Sequence, residues 1–274
     1  MLTPQEQEFF SQLIYTHSGI ALGPDKTYLF ENRLGEVAKI LGLKSLAELH
    51  QRAKTNLTND LRDMIVEAMT TNETLFFRDK SPFEAMRLTI IPEIMKRKSA
   101  TKVLRIWSAA CSTGQEAYSV AMMLNESFPE IMSTWRVEIF GTDISTQVVS
   151  KAIEGKYSQI EVNRGLPITH LIKYFRQEGS EWIVSDNLKK ICKFKKMNLK
   201  ENLTALGSFD IILCRYVLIY FDLQGKQKIF RDFNKLLGTE GYLFLGSSET
   251  VFGITDDFVR NTTNNAIFYK VRES

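Results

Sequence analysis

The stretch from Leu104 to Ser119, Leu-Arg-Ile-Trp-Ser-Ala-Ala-Cys-Ser-Thr-Gly-Gln-Glu-Ala-Tyr-Ser, constrains this chain more than any other. Val103, Leu104, Ile106 and Trp107 form an apolar run that reads as a buried strand. It enters a loop of small residues, Ser108 to Gly114, and leaves as a helix whose inner face is Ala117, Val120, Ala121 and Leu124. Small residues let backbone come close to a ligand, and the free N–H groups at a helix start favour anionic or polar groups. The stretch is either a cradle for a nucleotide-like cofactor or an ordinary strand–helix turn of an α/β protein.

The chain beyond it alternates strands and helices. Trp135–Asp143 reads as a second strand that ends on an acid. A carboxylate at that place suits a ribose diol, because it accepts from both hydroxyls. Its other possible role is to cap the next helix, a position that Ser145 can also fill. Phe209–Cys214 is a nearly continuous apolar run, the pattern of a central parallel strand buried on both faces. A helix over Leu223–Leu237 and strands over Gly241–Gly246 and Asn265–Val271 follow. The alternation is interrupted over 155–190, where Tyr157, the region of Phe175 and Glu181–Ser185 predict short antiparallel strands around a helix near Ile168–Tyr174. Residues 103–274 thus read as one Rossmann-like α/β domain with a small antiparallel β insertion.

The first 70 residues carry a different pattern. Thr3-Pro4-Gln5-Glu6 is a capping box with proline in the first turn, and Phe9, Phe10, Leu13 and Ile14 share the face behind it. A second helix is expected from Lys26, with Phe30, Leu34, Val37 and Leu41 at helical spacing and Gly42 as its stop. Ser45–Glu48 reads as another capping box, and Thr58 or Asn59 opens a fourth helix. Residues 1–70 are therefore expected to be an all-α domain. Residues 71–102 are expected to be a linker and a connecting helix. In that linker polar residues run straight into Leu75, Phe76, Phe77 and Arg78. Either the aromatics plug a seam between domains or the polar groups line a cleft. Phe83, Met86, Ile90 and Ile94 continue as a helix expected to kink or break near Pro92.

Composition excludes several classes of function. With 44% hydrophobic and 24% charged residues, the chain of 274 residues is that of a soluble globular protein. It has no apolar run near the roughly 18 residues of a membrane span, and no signal-peptide pattern at Met1–Glu6, so a cytoplasmic location is expected. The three cysteines, Cys111, Cys192 and Cys214, lie far apart and the three histidines are scattered, so neither a disulfide framework nor a metal site is expected. A net charge of +3 gives no ground for nucleic-acid binding. Two basic clusters, Lys96–Lys102 and Lys189–Lys196, are either solvated faces or a docking surface for an acidic partner.

The domain order resembles the class I S-adenosylmethionine (SAM)-dependent methyltransferases, and it lacks the GxGxxG fingerprint of dehydrogenases. Four segments narrow the resemblance: Thr71-Asn-Glu-Thr-Leu-Phe-Phe-Arg78, Trp107–Ser119, Cys214-Arg-Tyr-Val-Leu-Ile-Tyr-Phe221 and Gly246-Ser-Ser-Glu249. Together they resemble the chemotaxis receptor methyltransferases, the CheR family. The resemblance implies transfer of a methyl group from SAM to glutamate side chains on the cytoplasmic methylation helices of chemoreceptors, leaving S-adenosylhomocysteine. It also implies cofactor contacts at Asn72, Thr74, Arg78, Glu116, Asp143, Asn198, Leu199, Cys214 and Arg215. Arg78 and Tyr220 are the pair it places closest to the reacting centre.

These residue types suit that chemistry. A carboxylate is ionised at neutral pH and is itself the nucleophile, so no general base is needed. Arg78 would anchor a carboxylate through its planar fork, either the cofactor's or the acceptor's. Tyr220 would add a hydroxyl donor, Asp143 would hold the ribose, and Glu116 would suit the cofactor's ammonium. Two departures stand out. The family usually has Asn where this chain has Tyr216, and Phe175–Trp182 is shorter than the glycine-rich loop of members that dock on a receptor-tail pentapeptide. A monomer that acts without that tether, and without membrane insertion, is expected. A methyltransferase for a small molecule or RNA, and a SAM-binding scaffold without activity, are the competing readings.

Overall fold

Helix α1 (Pro4–Ser18) starts as its sequence dictates. Thr3 Oγ1 accepts the Glu6 N–H and Glu6 returns a carboxylate oxygen to the Thr3 N–H, 2.8 Å away. Gly19, at φ 81°, closes the helix in the left-handed region that glycine tolerates. Helices α2 (Thr27–Ile40), α3 (Leu46–Thr55) and α4 (Asn59–Ala68) follow. In this computed structural model the described residues are 2–23, 27–238 and 240–272, so the expected helix start at Lys26 lies outside them. Thr58 is the cap of α4.

The box expected at Ser45 is only half formed. The Ser45 hydroxyl accepts the Glu48 N–H, but Glu48 reaches one residue further back, to the Lys44 N–H at 2.9 Å. Phe10, Ile14, Phe30, Leu34, Leu49 and Ile65 are fully buried among these helices, each worth about 1.5–3 kcal/mol of transfer free energy. The chain divides into two compact units, and Met1–Thr71 forms the first together with the distant segment Ile219–Lys226. That segment is tied to the end of α1 by the Ala21 N–H to the Tyr220 carbonyl and by the Tyr15 hydroxyl to Asp222, at 2.8 and 2.7 Å.

The second unit, Asn72–Leu218 with Gln227–Ser274, opens with α5 (Lys80–Ala85) and α6 (Ile91–Arg97). A kink or break was expected near Pro92. The helix does not end there but widens into a π turn, Met86–Ile90, where the Ile91 N–H reaches the Met86 carbonyl. Proline has no N–H to give and its ring crowds the carbonyl four residues back, and a π turn accommodates both without ending the helix. Then follow β1 (Val103–Ala109), α7 (Gln115–Ser127), α8 (Pro129–Thr134), β2 (Arg136–Asp143) and α9 (Thr146–Glu154). The expected interruption contains β3 (Lys156–Ser158), α10 (Gln159–Asn163), α11 (Ile168–Tyr174), β4 (Phe175–Glu178), β5 (Glu181–Val184) and α12 (Asp186–Ile191). Its strands form a separate antiparallel sheet in the order β3-β5-β4. The main sheet resumes with β6 (Cys192–Lys196) and β7 (Ile211–Cys214), and after α13 (Leu223–Leu237) closes with β8 (Tyr242–Leu245), β9 (Phe258–Thr263) and β10 (Ala266–Val271).

The order across the seven strands is β6-β2-β1-β7-β8-β10-β9, with the first five parallel, β10 antiparallel to β8, and β9 antiparallel to β10. β1 and β7 are therefore neighbours whose connections leave toward opposite edges. In such a sheet ligands bind beyond the carboxyl ends of the strands at that switch point. Two strands were not expected. β6 was read as a charge run, because an edge strand exposes one side, and lysines there discourage pairing with another chain. β9 is too polar to show a strand's alternation, and it forms by pairing with β10 over six residues.

Candidate active site

The carboxyl ends of β1, β2, β7 and β8 lie in register, with Ala109 opposite both Thr142 and Cys214, and Cys214 opposite Leu245. The residues that follow these in the chain are Ala110, Asp143, Arg215 and Gly246. The loop after β1 is pinned rather than free. The Cys111 N–H reaches the Thr142 carbonyl at 2.8 Å, and the Ser112 N–H donates to Asp143 Oδ2 at 2.9 Å. The Tyr157 hydroxyl, from the insertion, donates to the Thr113 carbonyl at 2.7 Å. Gly114 must be glycine. It sits at φ 93°, and a Cβ there would stand 2.9 Å from that of Ala152.

Asp143 is buried, and its second oxygen accepts the Ser145 N–H at 3.1 Å. The capping of α9 falls to Ser145, whose hydroxyl accepts the Val148 N–H. The Met197 N–H reaches the Asp143 carbonyl at 2.8 Å, which brings the end of β6, with Asn198 and buried Leu199, to the same edge. The Asn198 side chain accepts the Lys200 N–H. Exposed Asn72 joins through its backbone, its carbonyl accepting the Ser112 hydroxyl at 2.7 Å, and Thr74 lies half-buried further along. Between Asn72 and Arg78 the aromatics pack within the second unit. Phe76 is fully buried inside the second unit, edge-on to Tyr157 and Phe175 at 5.1 and 5.6 Å.

Arg215 is the electrostatic centre. Its side chain is only 3% exposed; Nη1 donates to Glu116 at 2.7 Å, and Nη2 to Asp79 and to the Arg78 carbonyl at 2.8 and 2.7 Å. Burial disfavours the charge, but the Glu116 and Asp79 carboxylates outweigh it and raise the pKa above the ordinary arginine value. Glu116 also accepts the Ser108 hydroxyl at 2.7 Å, so half of its lone-pair capacity is spent within the protein. Arg78 gives one hydrogen bond, to the Glu73 carbonyl at 3.1 Å, and its guanidinium lies 3.7 Å from the centre of the Tyr216 ring. Cys111 and Cys214 are buried thiols whose pKa values burial pushes up, as packing residues require.

The second unit thus brings Asn72, Arg78, Glu116, Asp143, Asn198, Leu199, Cys214 and Arg215 to the carboxyl edge of one sheet. Tyr220 belongs to the first unit, and its backbone is held there. Residues 72–267 match the family model described as "CheR methyltransferase, SAM binding domain", and residues 5–70 match "CheR methyltransferase, all-alpha domain". The chain belongs to the CheR methyltransferase family.

Chemotaxis protein methyltransferase 1 of Pseudomonas aeruginosa is 38% identical over 268 residues, covering 97% of each chain. Chemotaxis protein methyltransferase 1 of Vibrio cholerae is 38% identical over 275 residues, 99% of this chain and 98% of that protein. The protein of the same name, without a numeral, from Borreliella burgdorferi is 34% identical over 92% of this chain and 90% of its own. The CheR chain is accordingly a SAM-dependent methyltransferase of chemotaxis. Among the described residues no helix is long and apolar enough to cross a membrane, and no group of His, Cys, Asp or Glu is placed to hold a metal.

The residues present fit the cofactor. Arg215 Nε is buried and has no hydrogen-bond partner among the described residues, which is costly unless a ligand supplies an acceptor. Ser108, Ser112, Asp79, Tyr216 and Glu249 adjoin these residues without having been candidates for the site, Tyr216 having stood out only as a departure from the family pattern. Glu249 accepts the backbone N–H groups of Tyr216, Val217, Leu218 and Gly246, at 2.7–2.9 Å. Only its bond to Gly246 is local; those to Tyr216, Val217 and Leu218 span 31–33 residues and leave no local pattern in the sequence.

Proposed function

We propose that this CheR protein methylates glutamate carboxylates on the cytoplasmic helices of chemoreceptors, forming methyl esters, with Arg78 and Tyr220 at the reacting centre. The observation that carries this reading is the state of Arg78. Its guanidinium is half-buried, seated on an aromatic ring and bound once, to Glu73; among the described residues its other N–H groups have no partner. A planar donor fork of that kind suits a carboxylate, which needs orientation and no base. The division into a helical domain to about residue 70, a connector to 102 and a cofactor domain beyond belongs to the same proposal.

When bound, SAM supplies a methyl carbon activated by the neighbouring sulfonium charge. The residues proposed to hold it are Asn72, Thr74, Glu116, Asp143, Asn198, Leu199, Cys214 and Arg215, several of them through backbone. Asp143 would take the ribose diol, and Glu116, with lone pairs remaining beyond Ser108 and Arg215, would take the ammonium. Arg78 would align the acceptor carboxylate and Tyr220 would donate to it. Holding reactants in near-attack geometry can supply about 7–11 kcal/mol of barrier lowering, which leaves little for acid–base groups to do.

The β4–β5 connection is a two-residue turn, Gly179–Ser180, with Gly179 at φ 61°. That short turn supports action without a pentapeptide tether; saturable binding of a receptor-tail pentapeptide by calorimetry would overturn it. For the activity itself, the enzyme is incubated with radiolabelled SAM and membranes carrying receptor. Receptor-bound label that mild alkali releases as methanol is expected. Label that survives alkali, or appears only on small acceptors, refutes the reading.

A further inference from the structure

Non-glycine residues at positive φ are costly, and they persist where the surrounding structure forces them, often at functional sites. Eight such residues occur among the described residues, and five of them are Phe77, Asp79, Ala110, Ser112 and Tyr216. All five lie in the loops of the candidate site, and Phe77 and Asp79 flank Arg78. Tyr216, at φ 60°, has the largest side chain of the five, and it fills a position where the family pattern has Asn, which tolerates that conformation better.

We propose that Tyr216 is a positioning residue. Its ring is the seat that holds the Arg78 guanidinium, and through it the acceptor carboxylate, in one orientation. The proposal rests on the role given to Arg78 above. The guanidinium lies 3.7 Å from the ring centre. The ring is itself fixed from several sides. Its backbone N–H donates to Glu249 at 2.7 Å, its hydroxyl donates to the Asp79 carboxylate, and Ser247 lies 3.0 Å from the same hydroxyl. The single phenolic proton goes to Asp79, so Ser247 is the donor in that last contact. A Cβ on Gly246 would come within 2.9 Å of both the ring and the backbone N of Tyr216, so the end of β8 leaves room for this ring only because residue 246 is glycine.

Arg78 is consequently held at both ends. Arg215 takes its carbonyl and the next residue's carboxylate, and Tyr216 takes its guanidinium and that same carboxylate. An unsupported arginine would sample many rotamers, and the stacked fork gives up that freedom before substrate arrives.

This reading separates stability from turnover. Asn at position 216 relieves the left-handed strain but removes the seat. In the full-length enzyme, Tyr216→Asn is expected to melt no lower than the wild type and to bind S-adenosylhomocysteine within about threefold of it. Its receptor methylation should fall about tenfold in kcat/KM, equivalent to about 1.4 kcal/mol. Tyr216→Phe, which keeps the ring and loses the hydroxyl, should lose about threefold. In an Arg78→Lys background, which lacks the planar fork, Tyr216→Asn should cost nothing further. Wild-type turnover in Tyr216→Asn, an undiminished loss in the Arg78→Lys background, or a loss that parallels a fall in melting temperature would each overturn the proposal. Full activity in Arg78→Lys and Arg78→Ala would sink the role of Arg78 itself, and the proposal with it.

Discussion

Glu249→Gln is the substitution that most directly tests how the crevice is built. The Glu249 carboxylate accepts four backbone N–H groups, two on each oxygen: Tyr216 and Gly246 on one, Val217 and Leu218 on the other. Glutamine has the same shape, but one oxygen becomes an NH2 that points its hydrogens at two N–H donors. Two bonds are lost whichever way the amide turns. At about 1.5–3 kcal/mol per bond to a charged acceptor, the gross loss is about 3–6 kcal/mol. The side chain is half-buried, so water recovers part of this and a net cost of roughly 2–4 kcal/mol is expected. For a unit of this size about 2–4 °C accompanies each kcal/mol, so calorimetric melting should drop by roughly 4–16 °C. The damage should also reach the cofactor, because the freed turn follows Arg215 directly. Affinity for S-adenosylhomocysteine, measured by titration calorimetry, should weaken at least about tenfold, or about 1.4 kcal/mol. A melting point within about 2 °C of the wild type, with unchanged affinity, would mean that the turn is held by packing and that this hydrogen-bond arithmetic is wrong.

Arg215→Lys keeps a charge but replaces two forked contacts with one ammonium; it should cost roughly 2–3 kcal/mol in urea unfolding and abolish measurable S-adenosylhomocysteine binding, whereas unaltered binding would remove Arg215 from the site. Arg78→Ala and Tyr220→Phe should each lower methyl transfer to receptor by at least about tenfold while S-adenosylhomocysteine still binds, and intact turnover in either would dismiss that residue from the reacting centre. His170 packs edge-on to Phe77, and burial, opposed by Glu126 and aided by Lys173, holds its pKa below the ordinary 6.5. Below pH 6.5 the unfolded chain therefore binds more protons than the folded one, and the stability present above that pH is lost as pH falls through the folded value. The wild type should lose more melting temperature between about pH 7.5 and 5.5 than His170→Phe, and equal losses would show that the ring titrates as in solvent.

Legibility in the sequence followed the range of the forces involved. Helix α1, strand β7 and helix α13 were readable because caps, periodicity and apolar runs act over a few residues. The covered parallel sheet was readable because its inner strands must be apolar on both faces. β6 was not, since an edge strand meets solvent on one side and its lysines looked like a charge run. β9 was not, since its pairing with β10 supplies what its own composition lacks. The site divided the same way. Asp143 could be named because it ends a strand, and Glu116 and Arg215 because the segments that resemble the family contain them. Asp143 could not be foreseen as the anchor of the Ser112 N–H, nor Glu249 as the acceptor for Tyr216–Leu218, because those bonds join segments about 30 residues apart. Tyr216 is the instructive case. By local rules it is a poor residue for φ 60°, and a misfit against the family pattern was all the sequence offered. The placement of Arg78 over its ring, with the bonds of Tyr216 to Glu249 and Asp79, supplies a physical reason for the strain, and where local preference is overruled in this way the overruling contacts are the ones to test first.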